Sequence, residues 1–192
     1  LNPSHISFYQ LTLEPNTLFS KFPPSLPSDD YIWKIGTRGS ELLNKKGFHQ
    51  YEVSAYSAIP SKHNMNYWEF GDYIGIGAGA HGKITDVASN KIMRTLKTKS
   101  PKDYLLSVKK NKQTSSAKAV ENLSFEFMLN SLRLIDGFDP ELYQSRTGQP
   151  IELLSQQLRE AENLDLLDIK THKIKPTQKG YSFLNDLQAI FL

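Results

Sequence analysis

His63-Asn-Met-Asn-Tyr-Trp-Glu-Phe-Gly-Asp-Tyr-Ile-Gly-Ile-Gly-Ala-Gly-Ala-His-Gly82 is the stretch on which the reading of this chain turns. Its second half places glycines at 75, 77, 79 and 82 after a short β-type run. Residues without a Cβ let backbone come close to another group, so something flat or a second chain segment is expected against them. Its first half sets an imidazole, two amides, a phenol and an indole within six positions. A plain core segment seldom carries so many polar-tipped aromatics, and function is expected here.

Working outward toward the N-terminus, Phe48 to Tyr56 alternates loosely and reads as a strand. Ser28 is suited to cap a helix with Asp29 and Asp30 in its first turn, Ile32, Ile35 and Leu42 near one face, and Gly47 as its terminator. Gly36 and Gly39 weaken that helix unless something packs closely on them. His5 to Leu13, apolar on both faces, reads as a buried strand with neighbours from outside this chain. Strand, helix and strand in that order build a parallel α/β sheet. Pro60 to Asn66 is expected as a loop and Tyr73 to Ile76 as a further strand.

Beyond Gly82, residues 83 to 87 and 91 to 98 are expected to form a hairpin around Ala88-Ser89-Asn90. From Ser100 the pattern turns helical, with Pro101 in the first turn and a polar break at Gln113 to Ser116. A second helix is expected from Ala117 to Leu132, a third from the cap Asp139, a fourth after Pro150, and a last one over Gly180 to Phe191. Between the last two, Leu166 to Thr177 reads as a wing turning near Thr171 to Lys173. The expected division is residues 1–98, an incomplete α/β sheet, and 99–192, a mostly helical winged-helix-like domain.

At 192 residues, 39% hydrophobic and 22% charged, the chain has room for two such domains. Residues 91–118 hold nine Lys/Arg against Asp103 alone, which leaves 14 basic and 19 acidic residues elsewhere. No apolar run approaches the roughly 20 residues of a membrane span, and no basic-then-apolar leader opens the chain, so the expectation is a soluble, cytoplasmic protein. The start at Leu1, close to a strand-like run, suggests a piece of something longer.

Several chemistries lack support. Gly75-x-Gly77-x-Gly79 has no third glycine at the dinucleotide spacing, and no P-loop Gly-Lys-Ser/Thr occurs. The five histidines never fall at the short spacings of zinc sites, no Gly-x-Ser-x-Gly elbow is present, and the absence of cysteine removes disulfides and thiolate ligation. His63 remains. Alone it reads as a loop histidine bonded to backbone or water. Beside Asn64, Tyr67 and Trp68 it becomes a candidate axial ligand with a stacking platform for a porphyrin, against the plainer role for Tyr67 and Trp68 of covering a barrel end.

His5-Ile6-Ser7-x-Tyr9-Gln10-Leu11-Thr12-x-Glu14-Pro15-x-Thr17, Tyr51-Glu52-Val53-Ser54, His63-Asn64-x-x-Tyr67-Trp68 and Gly71-Asp72-Tyr73-x-Gly75-Ile76-Gly77-x-Gly79-Ala80-His81-Gly82 resemble the radical-SAM oxygen-independent coproporphyrinogen III oxidases, above all their heme chaperone branch. The resemblance implies an α/β fold: the C-terminal part of a partial (β/α) radical-SAM barrel, then a winged-helix-like domain. It implies heme as ligand, and S-adenosylmethionine with a 4Fe-4S cluster in the full-length parent, where a Cys-x-x-x-Cys-x-x-Cys motif holds the cluster. With no cysteine here, the N-terminal half of the barrel is expected to be absent from this chain, which alone should be inactive.

By the same resemblance, Tyr9 and Thr12 match positions that line the adenosyl pocket, and His81 matches a backbone contact to that cofactor. His63 matches the proposed heme-iron ligand, with Asn64, Tyr67 and Trp68 on the heme side. Retention of Tyr-Trp favours heme delivery over oxidative decarboxylation in porphyrin biosynthesis. The basic stretch and winged helix also allow a nucleic-acid-binding reading, but the candidate recognition helix is acidic at Glu152, Glu160 and Glu162. The expected partners are heme, then an acidic heme-acceptor protein or membrane surface. An open sheet edge adds the expectation of self-association.

Overall fold

The computed structural model describes residues 2–89, 91–169 and 172–192, so Asn90 of the expected hairpin turn and Thr171 of the wing turn lie outside the described residues. Helices and strands are mixed, as an α/β reading requires, and the chain divides into two compact units, Leu1–Ser61 and Lys62–Leu192.

The first unit contains β1 (His5–Ser7), α1 (Leu18–Lys21), α2 (Asp29–Lys45), β2 (His49–Glu52) and β3 (Ala55–Ser57). The expected single strand over 48–56 is instead a hairpin that doubles back at Val53 and Ser54. Ser54 donates from both its backbone N–H and its hydroxyl to Glu52 Oε1, at 3.1 and 3.0 Å, and so satisfies a carboxylate that is otherwise buried. β3 lies between β1 and β2 and pairs antiparallel with each. β1 and β2 therefore run in the same direction, as a strand–helix–strand crossover demands, but the parallel pairing expected between them is replaced by the inserted β3.

The first strand is also shorter than expected. Beyond Ser7 no described strand lies alongside, and Tyr9 and Leu11 are exposed. Its neighbour comes from within the chain, contrary to the expectation. His5 Nε2 lies 2.8 Å from the Tyr51 hydroxyl, and the Phe8 ring packs onto Tyr56 and onto Gly39 of α2, where a Cβ would collide with it. Gly39 is thus the small residue that lets helix and strand meet, and Gly47, at φ +82°, supplies the left-handed residue after the helix.

The second unit opens with α3 (Lys62–Trp68), where a loop was expected. A meander of β4 (His81–Asp86), β5 (Lys91–Lys97) and β6 (Ser115–Ala119) follows, with α4 (Pro101–Lys109) between the last two strands. The expected hairpin is present as β4–β5. β6 corrects the helix expected from Ala117: alanine and lysine favour helix weakly, and five consecutive register pairs with β5 override that preference. Because β6 joins β4 and β5 in one sheet, the change of periodicity near residue 99 falls inside this unit. In place of a strand over 73–76 there is one bridge, Tyr73 to Lys83.

The remainder follows the winged-helix order: α5 (Leu123–Ser131), α6 (Pro140–Thr147), a 3-10 turn (Ile151–Leu154) running into α7 (Ser155–Asn163), the wing strands β7 (Leu167–Asp168) and β8 (Lys175–Pro176), then α8 (Gln178–Ser182) and α9 (Leu184–Ala189). Asn122 caps α5, Thr177 caps α8, and Gly148 ends α6 at φ +70°. Phe127 is the centre of the core, with Phe70, Phe138 and Tyr143 edge-on around it at 5.0–5.7 Å. Truncating so enclosed a ring to alanine costs about 3–5 kcal/mol. Gln188 Nε2 donates to the Leu129 carbonyl at 2.8 Å and ties α9 to α5.

Candidate functional site

α3 presents the histidine motif. His63 falls in its first turn and is exposed, while Asn64, Tyr67 and Trp68 are half-buried. Positions 63 and 67 are one helical turn apart, and their rings meet edge-on at 4.9 Å. Tyr67 in turn packs on Tyr73 at 4.4 Å. The Tyr73 hydroxyl accepts from Arg94 of β5 at 3.1 Å, and the same guanidinium donates to Glu126 of α5 at 2.6–2.8 Å. A continuous path of ring contacts and hydrogen bonds therefore runs from His63 to the helical core. Among the described residues the imidazole is held by its ring contact alone, and its nitrogens make no hydrogen bond.

Trp68 turns to the protein. The Arg133 guanidinium lies 4.3 Å above its ring, and the Ser131 hydroxyl donates to its carbonyl at 2.9 Å. Its indole nitrogen is buried with no hydrogen-bond partner among the described residues. Asn66, between the motif's polar residues, donates to the Asp72 carbonyl at 3.0 Å and holds the end of α3 against the following loop.

The loop is anchored by a group the sequence reading missed. Lys83, only 2% exposed, points its ammonium at Asp72 Oδ1 at 2.8 Å and over the face of Phe70 at 4.2 Å. Asp72 also accepts from the Thr85 backbone N–H and hydroxyl at 2.8 and 2.9 Å. Partial burial works to raise the Asp72 carboxyl, but the hydrogen bonds from Lys83 and Thr85 outweigh it and hold the group below the usual carboxylate range. Burial is the largest influence on Lys83 and draws its ammonium down, opposed by Asp72 and assisted by the positive charges of Arg94 and Arg146. The two shifts oppose each other as regards the pair. The short contact and the second partner of Asp72 decide for a formed ion pair at neutral pH.

The glycines behave as the sequence implies. A Cβ at Gly75 would strike the backbone of His81, and one at Gly82 would meet the Thr95 hydroxyl at 2.5 Å and the Tyr73 carbonyl at 3.1 Å. The close neighbour is the chain's own next strand. Gly77 differs: it needs its φ of +98°, and no atom lies near a Cβ there.

The structure brings His63, Asn64, Tyr67 and Trp68 together on one short helix of the second unit, where His81 also lies, exposed at the start of β4. Tyr9 and Thr12 belong to the first unit, in the exposed segment after β1. An exposed imidazole beside an aromatic edge fits an axial ligand for porphyrin iron. A thiolate-held cluster does not fit this chain, which has no cysteine, and among the described residues no group of three or more His, Asp and Glu could hold a metal ion without a porphyrin.

Residues 120–183 match the HemN C-terminal domain family. The heme chaperone HemW of Escherichia coli strain K12 is 42% identical over an alignment that covers 100% of this chain and 50% of that protein. The HemW of Haemophilus influenzae is 40% identical with the same coverage. The chain thus spans about half the length of the curated relatives it matches. Among solved structures, the radical SAM enzyme coproporphyrinogen III oxidase (HemN) of Escherichia coli superposes with a TM-score of 0.73 at 16% identity, over 99% of this chain and 48% of that one. The fold is shared.

Proposed function

The chain belongs to the HemN-like radical SAM proteins, of which it represents the C-terminal part, and from that membership we propose that it binds heme for delivery, with His63 as the iron ligand. The observation that carries the reading is the exposed His63 imidazole, unbonded at its nitrogens, one turn before Tyr67. Imidazole holds iron directly, and the edge of Tyr67 limits how the ring can rotate. Lys62, exposed in the same turn, would meet a propionate in this reading. One histidine on an open helix gives a releasable ligand, which suits handing heme on to an acidic acceptor protein or at a membrane surface.

S-adenosylmethionine and the 4Fe-4S cluster belong to the whole parent protein in this reading. The cluster thiolates would come from the portion of the parent that this chain does not span, since it has no cysteine. Tyr9, Thr12 and His81 are assigned to the S-adenosylmethionine side on the resemblance of their motifs, and Asn64 and Trp68 to the heme side. The location is proposed as cytoplasmic; among the described residues no helix is long and apolar enough to cross a membrane. Self-association is proposed through the open edges of the β1–β3–β2 sheet.

Titration of hemin into the wild-type chain and into His63→Ala, followed at the Soret band with circular dichroism as a check on folding, tests the ligand. The expected result is a shift in the wild type that is lost in the variant. Equal shifts and affinities in two equally folded proteins would return His63 to an ordinary surface histidine.

A further inference from the structure

β6 is an open edge. In the register of β5 with β6, the backbone groups of Thr114 and Val120 bond to Thr98 and Ile92, so those of Ser116 and Lys118 face β5 as well. The groups of Ser115, Ala117 and Ala119 therefore point outward. Gln113 covers the Ser115 carbonyl at 2.6 Å, whereas no described residue bonds the amides or carbonyls of Ala117 and Ala119. Natural edges are usually blunted by proline, a bulge or inward charge. β6 has neither proline nor bulge, its register with β5 being unbroken, and its one charged side chain, Lys118, is paired with Glu121 at 2.9 Å.

A cleft lies at each end of this edge. At Ser115 and Ser116 a polar cleft of about 410 Å³ includes Lys97 and Lys99, in the part of the chain where basic residues outnumber acidic ones nine to one. At Ala119 a second cleft of about 510 Å³ is walled by Val120, Phe125 and Leu129. The carboxylates at that end are already paired, Glu121 with Lys118 at 2.9 Å and Glu126 with Arg94 at 2.6 Å. Lys97 and Lys99 have no acidic partner among the described residues, so their end of the edge is complementary to an acidic side chain.

We propose that β6 accepts an extended peptide segment of a partner protein as a fourth strand, with an apolar side chain in the Val120–Phe125–Leu129 cleft and an acidic one in the Lys97–Lys99 cleft. Main-chain hydrogen bonds to Ala117 and Ala119 supply the register, and the two clefts supply orientation and selectivity. Unpaired amides at strand spacing are a feature that a peptide backbone satisfies and a lipid headgroup layer does not. The proposal does not depend on heme.

The test uses a fluorescent peptide of alternating threonines with two leucines toward its N-terminus and two glutamates toward its C-terminus, the antiparallel orientation, together with a version carrying lysines for glutamates. Binding is read by anisotropy, and backbone engagement by hydrogen exchange of the Ala117 and Ala119 amides. Saturable binding is expected, with protection of both amides, loss with the lysine peptide, and weakening on Lys97→Glu/Lys99→Glu. Ala117→Pro removes an outward N–H while leaving the bonds to β5, so it should weaken binding about tenfold or more with the fold unchanged by circular dichroism. Lack of binding, or equal binding by Ala117→Pro without amide protection, would overturn the proposal. So would protection that appears with protein concentration alone, which would indicate a second copy, or association confined to phosphatidylglycerol vesicles.

Discussion

Removing the carboxylate of Asp72 should damage the protein more than removing the ammonium it holds. In Asp72→Ala the Lys83 ammonium, 2% exposed, stays buried with its counter-ion gone. Breaking a fully buried pair from one side costs about 3–5 kcal/mol. Asp72 is 45% exposed, so water can reach the vacated position, and about 2–3 kcal/mol is the corresponding estimate here. In Lys83→Met a chain of similar length keeps its packing over Phe70, and Asp72 retains the Thr85 N–H and hydroxyl, so the loss should be about 1 kcal/mol or less. Urea unfolding followed by circular dichroism separates the two, since 2–3 kcal/mol corresponds to a midpoint shift of roughly 1 M or more. The sign with pH also follows. The Asp72 carboxyl sits lower in the folded state than in the unfolded one, so its contribution is present above about pH 4 and is lost as pH falls through the folded value. Asp72→Asn should flatten that acid limb. A Lys83→Met protein destabilised as much as Asp72→Ala, or an unchanged acid limb in Asp72→Asn, would refute the pair as the loop's anchor.

Gly75→Ala places a methyl against the His81 backbone and should cost several times what Gly77→Ala costs, where only the left-handed conformation is opposed, at about 1 kcal/mol; thermal midpoints of the two variants give the comparison. Anaerobic treatment of this chain with iron and sulfide should produce neither cluster absorption nor 5′-deoxyadenosine from S-adenosylmethionine, because it offers no thiolate; product above a protein-free control would contradict this.

The parts of the fold that were readable in the sequence are those with local punctuation. α2, α4 and α6 begin directly after the caps Ser28, Ser100 and Asp139, with acids or proline behind them, as expected. The wing and the β4–β5 hairpin were also legible. β6 was not, because Ala117-Lys118-Ala119 has a helical preference of a few tenths of a kcal/mol and becomes a strand only through β5, twenty or so residues away. α3 was hidden for a related reason: no residue in it is fully buried, so it shows no apolar period. At the site, the glycine contacts followed from composition. The Lys83–Asp72 pair did not, since alternation along β4 would send Ile84 inward, whereas Lys83 is buried and Ile84 is 41% exposed.

The seven-residue length of α3 has a consequence for the order in which the site comes into being. An isolated helix shorter than about 12 residues does not persist in water, so α3 depends on what it docks against. That support comes from later in the chain: Ser131 on the Trp68 carbonyl, Arg133 on its ring, and Glu126 behind the Arg94–Tyr73 contact. During synthesis His63 therefore emerges on a segment without lasting structure and acquires its orientation only after roughly seventy further residues have left the ribosome. Half-made chains therefore do not hold the imidazole against Tyr67, and that ring contact forms only once α5 and the residues after it are in place.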